Sequence, residues 1–164
     1  MSAPIRRRRD GRYAIKLDPS VRAVLATMSE QLAPTISPGE PMTRRLFPPA
    51  YAGDDMQGAE AEYRNLVDNA LVSHHRQAFN VVADTAQADI LTESELNAWM
   101  SAVGSLRLVL GTRLDVSEDM AAPDPEDPMA PEHALYELLG QLQYLMIEVL
   151  ASQLPDEGRP EGAL

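Results

Sequence analysis

Residues 92–119 read TESELNAWMSAVGSLRLVLGTRLDVSED, and this stretch decides the fold. Thr92 followed by Glu95 is a capping box, in which the threonine side chain takes the N–H of the third helical residue and the glutamate reaches back. Acids in the first turn also suit the helix dipole. At about 100° per residue, Leu96, Trp99, Met100, Val103, Leu110 and Leu114 form one stripe. Arg107 projects into that stripe, and Leu108 and Val109 lie off it. Gly104 and Gly111 project to nearly one side. Each costs about 1 kcal/mol of helix stability relative to alanine, which predicts close approach of another helix. A helix that is apolar on more than one side belongs at the centre of a small all-helical domain.

On its C-terminal side, residues 115–131 hold six acids, several prolines and no base, and read as an acidic linker. They lack the spaced oxygens and central glycine of a calcium loop. Pro131 then opens a last helix whose main stripe is Leu135, Leu138, Leu139, Leu142, Leu145, Met146 and Val149. Tyr136, Gln143, Ile147 and Leu150 widen it, and so broad a face calls for two neighbours, one of them a second subunit or another element. Residues 152–164 read as a tail.

On its N-terminal side lies a long helix, 59–86, with Tyr63, Val67, Ala70, His74, Ala78 and Val81 on one face. His74 falls mid-stripe and reads as a hydrogen-bonded core histidine, with His75 towards the edge. Adjacent histidines on a helix do not point at one site, so a metal chelate is not expected. Before it, residues 34–54 form a Pro- and Gly-rich loop with one helical turn around Met42–Leu46. Leu46, Phe47 and Tyr51 are its apolar anchors, and Arg44 and Arg45 stand beside them. Asp18-Pro19 starts a first helix, since aspartate caps well and proline is tolerated at the first helical position. Its stripe is Val21, Val24, Leu25, Met28 and Leu32.

Arg12–Leu17 alternates as a short strand does. Residues 1–11 lack periodicity and read as a disordered basic arm containing Arg6, Arg7, Arg8 and Arg9. Net charge is −11 over 164 residues, although these first residues are basic, so the remainder is strongly acidic. An acidic body repels nucleic acid. The arginine arm is a candidate nucleic-acid contact, with a solvated tail the favoured alternative.

With 45% apolar residues, few aromatics and no cysteine, the chain suits one helical domain without disulfides or thiol chemistry. No apolar run is long enough to cross a bilayer, and the expected compartment is the cytoplasm. His74, His75 and His133 have no motif partner, no serine sits in a nucleophile elbow, and no glycine-rich phosphate loop is present. No enzyme activity, cofactor or metal is expected.

Three segments carry a family resemblance: RRLFPPAY at 44–51, NAWMSAVGSLRLVLGTRLDVSED at 97–119, and LYELLGQLQYLMIEVL at 135–150. Together they resemble an actinobacterial domain-of-unknown-function family typified by an oxidation-sensing regulator. The most specific part is residues 106–114. The resemblance implies a cytoplasmic helical protein without assigned catalysis, acting in oxidative-stress transcription by contacting a sigma factor through a redox-active cysteine pair. This chain has no cysteine, so that redox route is closed to it.

The expected architecture is thus an all-α bundle of about four main helices with a short N-terminal strand pattern. One domain spans 12–151, with the basic arm at 1–11 and a tail at 152–164. The expected function is non-catalytic regulation through a protein partner, with a homodimer expected, no membrane association and direct nucleic-acid binding disfavoured. Candidate structural or interaction residues are Arg44, Arg45, Trp99, Arg107, Gly111 and Arg113.

Overall fold

The computed structural model describes residues 3–47, 59–115 and 124–153. Four helices dominate: α1 (Pro19–Leu32), α2 (Ala59–Thr85), α3 (Glu93–Leu114) and α4 (Ala130–Ala151). Two 3-10 turns, Ala33–Thr35 and Pro41–Leu46, follow α1, the second at the position expected for a helical turn. The helix starts obey local chemistry. The Asp18 carboxylate accepts from the Ser20 N–H at 2.8 Å, and Thr92 Oγ1 accepts from the Glu95 N–H at 3.1 Å. α3 ends on Asp115, whose left-handed φ of 51° lets its N–H turn back to the carbonyls of Gly111 and Thr112.

α3 is the centre of the molecule, packed against α1, α2, α4 and the Pro41–Leu46 turn. Its buried residues run all round the helix, from Leu96, Trp99 and Val103 to Ala102, Leu106 and Val109. The single stripe drawn from periodicity is therefore too narrow, and Val109 is core. Trp99 is enclosed, and its Nε1–H donates to Thr85 Oγ1 at 2.7 Å, which in turn donates to the Val81 carbonyl at 2.6 Å.

The fold is mainly α but not purely so. Strands β1 (Ile5–Arg7), β2 (Tyr13–Ile15) and β3 (Ile90–Leu91) form an antiparallel sheet in the order β1-β2-β3. This corrects the all-helical reading and places part of the expected disordered arm inside the fold. The cause is local. Asp10-Gly11 closes a hairpin in which the Gly11 N–H donates to the Arg8 carbonyl and the Arg8 N–H donates to the Arg12 carbonyl. Gly11 has φ +83°, the conformation a three-residue hairpin loop needs at its last position. Ile5 then faces Ile15, and Tyr13 faces Leu91, with all four side chains buried. β1 also touches α4, so a sheet strand of the same chain meets part of the broad face of that helix.

Two helix faces differ from the periodicity reading. On α1 the buried positions are Arg22, Leu25 and Ser29, while Val24 is exposed. On α2 only the C-terminal part is core, with Ala78, Phe79 and Val82 buried, whereas Tyr63 and Leu66 are 67% and 68% exposed. The first half of α2 carries an apolar face that none of the described residues covers. The anchors Leu46 and Phe47 are buried. Tyr51, residues 116–123 of the acidic linker and the C-terminal tail from 154 lie outside the described residues.

Candidate interaction surface on α3 and α4

The second half of α3, with its glycines and arginines, lies antiparallel to α4 in three layers. A Cβ on Gly104 would stand 2.6 Å from Gln143 Nε2; one on Gly140 would stand 3.2 Å from Arg107 Nε; one on Gly111 would stand 3.2 Å from Tyr136 Cε2 and 3.0 Å from Arg45 Nη1. Each layer sets a glycine against a large side chain, alternating between the helices. Such pairing lets two backbones approach closely without a void.

Arg107 is half-buried rather than enclosed. Its guanidinium lies over the Tyr136 ring, 4.8 Å from the centroid. A cation so placed is attracted by the ring quadrupole, by about 0.5–2 kcal/mol depending on solvation. Its Nε–H is buried with no hydrogen-bond partner among the described residues. The guanidinium borders an open groove of about 640 Å³ on the outside of α3 and α4, lined also by Glu137, Gly140, Gln141 and Tyr144. Tyr144 is 61% exposed, and its hydroxyl donates to the Glu148 carboxylate at 2.9 Å, which pushes the phenol pKa up.

The other singled-out residues divide around this groove. Arg45 is half-buried beside Gly111 and so borders the same layers, while Arg44 is exposed on the 3-10 turn. Arg113 is exposed in the last turn of α3. Trp99 is core and distant in role from any surface.

The histidines exchange the roles periodicity assigned them. His75 is the half-buried one, wedged between the Leu46 carbonyl, 3.4 Å from Nε2, and Ser105 Oγ, 3.2 Å from Nδ1. A carbonyl can only accept, so Nε2 carries the proton and Nδ1 accepts from the serine hydroxyl. Phe47 meets the same ring edge-on at 6.0 Å. His74 is exposed, with Nε2 3.2 Å from Ser101 Oγ in a groove that Glu95 also lines. Histidine, serine and glutamate thus border one groove. Among the described residues, however, no carboxylate lies within ion-pair distance of His74 to orient it, as a nucleophilic triad requires.

Burial pushes the His75 pKa below its usual value near 6.5, and the neighbouring His74 charge acts in the same direction, against the Leu46 carbonyl. The fold therefore prefers the neutral ring. Its contribution to stability is complete above about 6.5, the unfolded value, and is lost as pH falls through the folded pKa. Lowering pH from 7.5 to 5.5 should lower Tm, and His75→Gln should flatten that dependence; an unchanged slope in thermal denaturation would refute the assignment.

The most informative residue that sequence reading passed over is Arg22. Buried on α1, it donates to the carbonyls of Ile15, Ala86 and Ala88 at 3.0, 3.0 and 2.6 Å, and more weakly to Leu17. One guanidinium thereby ties α1 to β2 and to the end of α2. Among the described residues no group of three or more histidines and carboxylates is arranged to hold a metal ion, and no helix is long and apolar enough to cross a membrane.

The family model for a domain of unknown function, DUF2017, matches residues 1–150. The chain belongs to the DUF2017 family. The match includes the N-terminal hairpin, which the three resembling segments did not reach. Among curated proteins, the chain is 33% identical over 133 residues to "Oxidative stress regulator AosR" of Mycobacterium tuberculosis, covering 71% of this chain and 61% of that protein. It is 31% identical over 134 residues to "Putative oxidative stress regulator AosR" of Mycobacterium leprae, covering 70% of this chain and 61% of that protein. The chain thus spans about 61% of the length of these relatives. No solved structure matches.

Proposed function

We propose that this DUF2017 protein is a non-catalytic, cytoplasmic regulatory protein of stress-linked transcription that works by binding a protein partner through the Arg107 groove. The observation that carries the regulatory part is the similarity to the oxidative stress regulators over more than two thirds of this chain. The groove supports the contact. Arginine and tyrosine dominate the energetics of protein interfaces, and here an arginine with an unpaired Nε–H lies against one tyrosine beside a second, exposed one. A sigma factor is the partner class the family resemblance implies. Without cysteine, this contact would not respond to thiol oxidation. In co-purification with a stress-response sigma factor, Arg107→Glu should reduce retention at least tenfold while leaving the helical circular dichroism unchanged. Equal retention by wild type and variant would remove the groove from the reading, and no retention of the sigma factor by wild type would remove the partner class.

The same reading includes a homodimer, supported by the uncovered half of α2. Tyr63, Leu66 and Val67 recur at helical spacing, and with Ala70 they form a set symmetric about the midpoint between Leu66 and Val67. An antiparallel second copy would set Tyr63 against Ala70 and Leu66 against Val67, the self-complementarity a two-fold interface requires. Sedimentation at micromolar concentration should give a dimer for wild type and a monomer for Leu66→Glu. A monomeric wild type would overturn the dimer.

A further inference from the structure

The arginine run at the N-terminus is a built surface rather than a tail, and we infer that it is a docking face for the phosphate backbone of duplex nucleic acid. The ladder of the β1–β2 hairpin fixes which side chains share a face. Ile5, Tyr13 and Ile15 are buried on the inner side, and Arg6 stands opposite Ala14 on the outer side. Backbone hydrogen bonds extend the same register in both directions, from the Arg8 N–H to the Arg12 carbonyl and from the Lys16 N–H to the Pro4 carbonyl, each at 2.7 Å. By the two-residue period of a strand, Arg6, Arg8, Arg12 and Lys16 therefore lie on the outer face around the small Ala14. Cations on one strand face repeat every ~6.7 Å, a distance comparable to that between successive phosphates of a nucleic-acid strand.

The face is pre-organised. Asp10 at the tip accepts from the Arg12 guanidinium at 2.8 and 3.1 Å and from Arg8 Nε at 3.3 Å, which holds both arginines in place. The Arg12 backbone N–H, which also donates to this carboxylate, and then the two guanidinium groups hold the Asp10 pKa down at about 2, so the clamp stays charged at neutral pH. The other acid on the bordering backbone, Asp89, makes only a 3.4 Å pair with Arg22 and keeps its carboxylate 91% exposed. Residues 4–16 contain six bases and one acid, in a chain whose net charge is −11. Charges farther away than about 8 Å are largely screened at physiological ionic strength, so this local face governs contact while the acidic body keeps the rest of the molecule off the polyanion.

The chemistry favours duplex backbone over the alternatives. Guanidinium groups match phosphate oxygens in fork geometry. Tyr13, the aromatic of the sheet, points inward and is fully buried, so the face offers no platform for stacking unpaired bases. Its apolar groups, Ala14 and Ile90, are half-buried and offer little to a lipid surface. Binding should be sequence-independent, and it is separate from the Arg107 groove.

The test is fluorescence anisotropy of a labelled 20-base-pair duplex against the full chain between 25 and 200 mM salt. Three to four phosphate contacts predict that log K falls with log salt with a slope of about −3. Arg6→Gln combined with Lys16→Gln leaves the Asp10 clamp intact and should reduce that slope by about 2, with at least tenfold weaker binding at 50 mM salt. Unchanged Trp99 fluorescence would show that this variant is folded, and Arg107→Glu should bind the duplex as wild type does. Absence of salt-dependent binding, equal binding by the double variant, or tighter binding to polyglutamate or to phosphatidylserine vesicles would each overturn the proposal.

Discussion

Arg22→Met is expected to lower the stability of the fold by about 3–5 kcal/mol, the usual cost of removing one side of a buried polar arrangement. The reason lies in the carbonyls rather than in the charge pair. The ion pair to Asp89 spans 3.4 Å and its carboxylate is 91% exposed, and such a pair is worth about 0–1 kcal/mol. The carbonyls of Ile15 and Ala86, in contrast, each take a buried charge-assisted hydrogen bond from this guanidinium. Removal leaves them enclosed beside an apolar side chain, at about 1–3 kcal/mol each. Denaturant titration should therefore show a large loss for Arg22→Met and a loss below about 1 kcal/mol for Asp89→Ala. Equal effects of the two would mean that the ion pair, and not the carbonyl set, holds α1 to the sheet.

Trp99→Ala should cost about 3–5 kcal/mol, the range for large aromatic truncations in cores. The indole is 2% exposed on the central helix, so the space it leaves would be bordered by side chains already packed from several directions. Collapse around it would require α2 and α3 to shift together. Trp99→Phe separates volume from polarity. It keeps most of the apolar contact and leaves Thr85 Oγ1 without its indole donor, while that hydroxyl retains its bond to the Val81 carbonyl. A loss of about 1–2 kcal/mol is expected for Trp99→Phe. If Trp99→Ala and Trp99→Phe destabilised alike in denaturant titrations, the hydrogen bond would outweigh the packing, contrary to this account.

What could be read in advance was what the chain decides locally. The caps at Asp18 and Thr92 lie within three residues of the N–H groups they serve, and both side chains accept as their spacing predicts, although the return bond from Glu95 to the Thr92 N–H is not among those formed by the described residues. The central position of α3 followed from its apolar residues lying on several sides. One strand was legible, since the alternation over 12–17 contains β2 (Tyr13–Ile15), but its partners β1 and β3 are three and two residues long, too short for a period of two to declare itself. The Asp10-Gly11 turn was present in the sequence, but the arginine run around it resembled a solvated tail. Arg22 could not be recognised from its neighbours, since Ala86 and Ala88, two of its acceptors, lie 64 and 66 residues away. With Arg22 left out of the buried face, the predicted stripe of α1 took in Val24, which is exposed. α2 shows a different limit: amphipathic spacing identifies an apolar face but not whether anything in the same chain covers it, as Tyr63 and Leu66 demonstrate. Of the candidate surface, Arg107 was visible as an anomaly within its stripe, whereas its companions Tyr136, Gly140 and Tyr144 needed the helix pairing to be known.

The three glycine layers between α3 and α4 make that pair a keyed joint. Because the glycine changes sides, from Gly104 to Gly140 and back to Gly111, sliding one helix along the other by a single turn would oppose bulk to bulk in at least one layer and open a gap in another. The axial position of α4 is thus set by its teeth rather than by the tether that delivers it. The keyed contacts alone therefore fix Arg107 relative to Tyr136, which decouples the geometry of the groove from the acidic segment between the two helices.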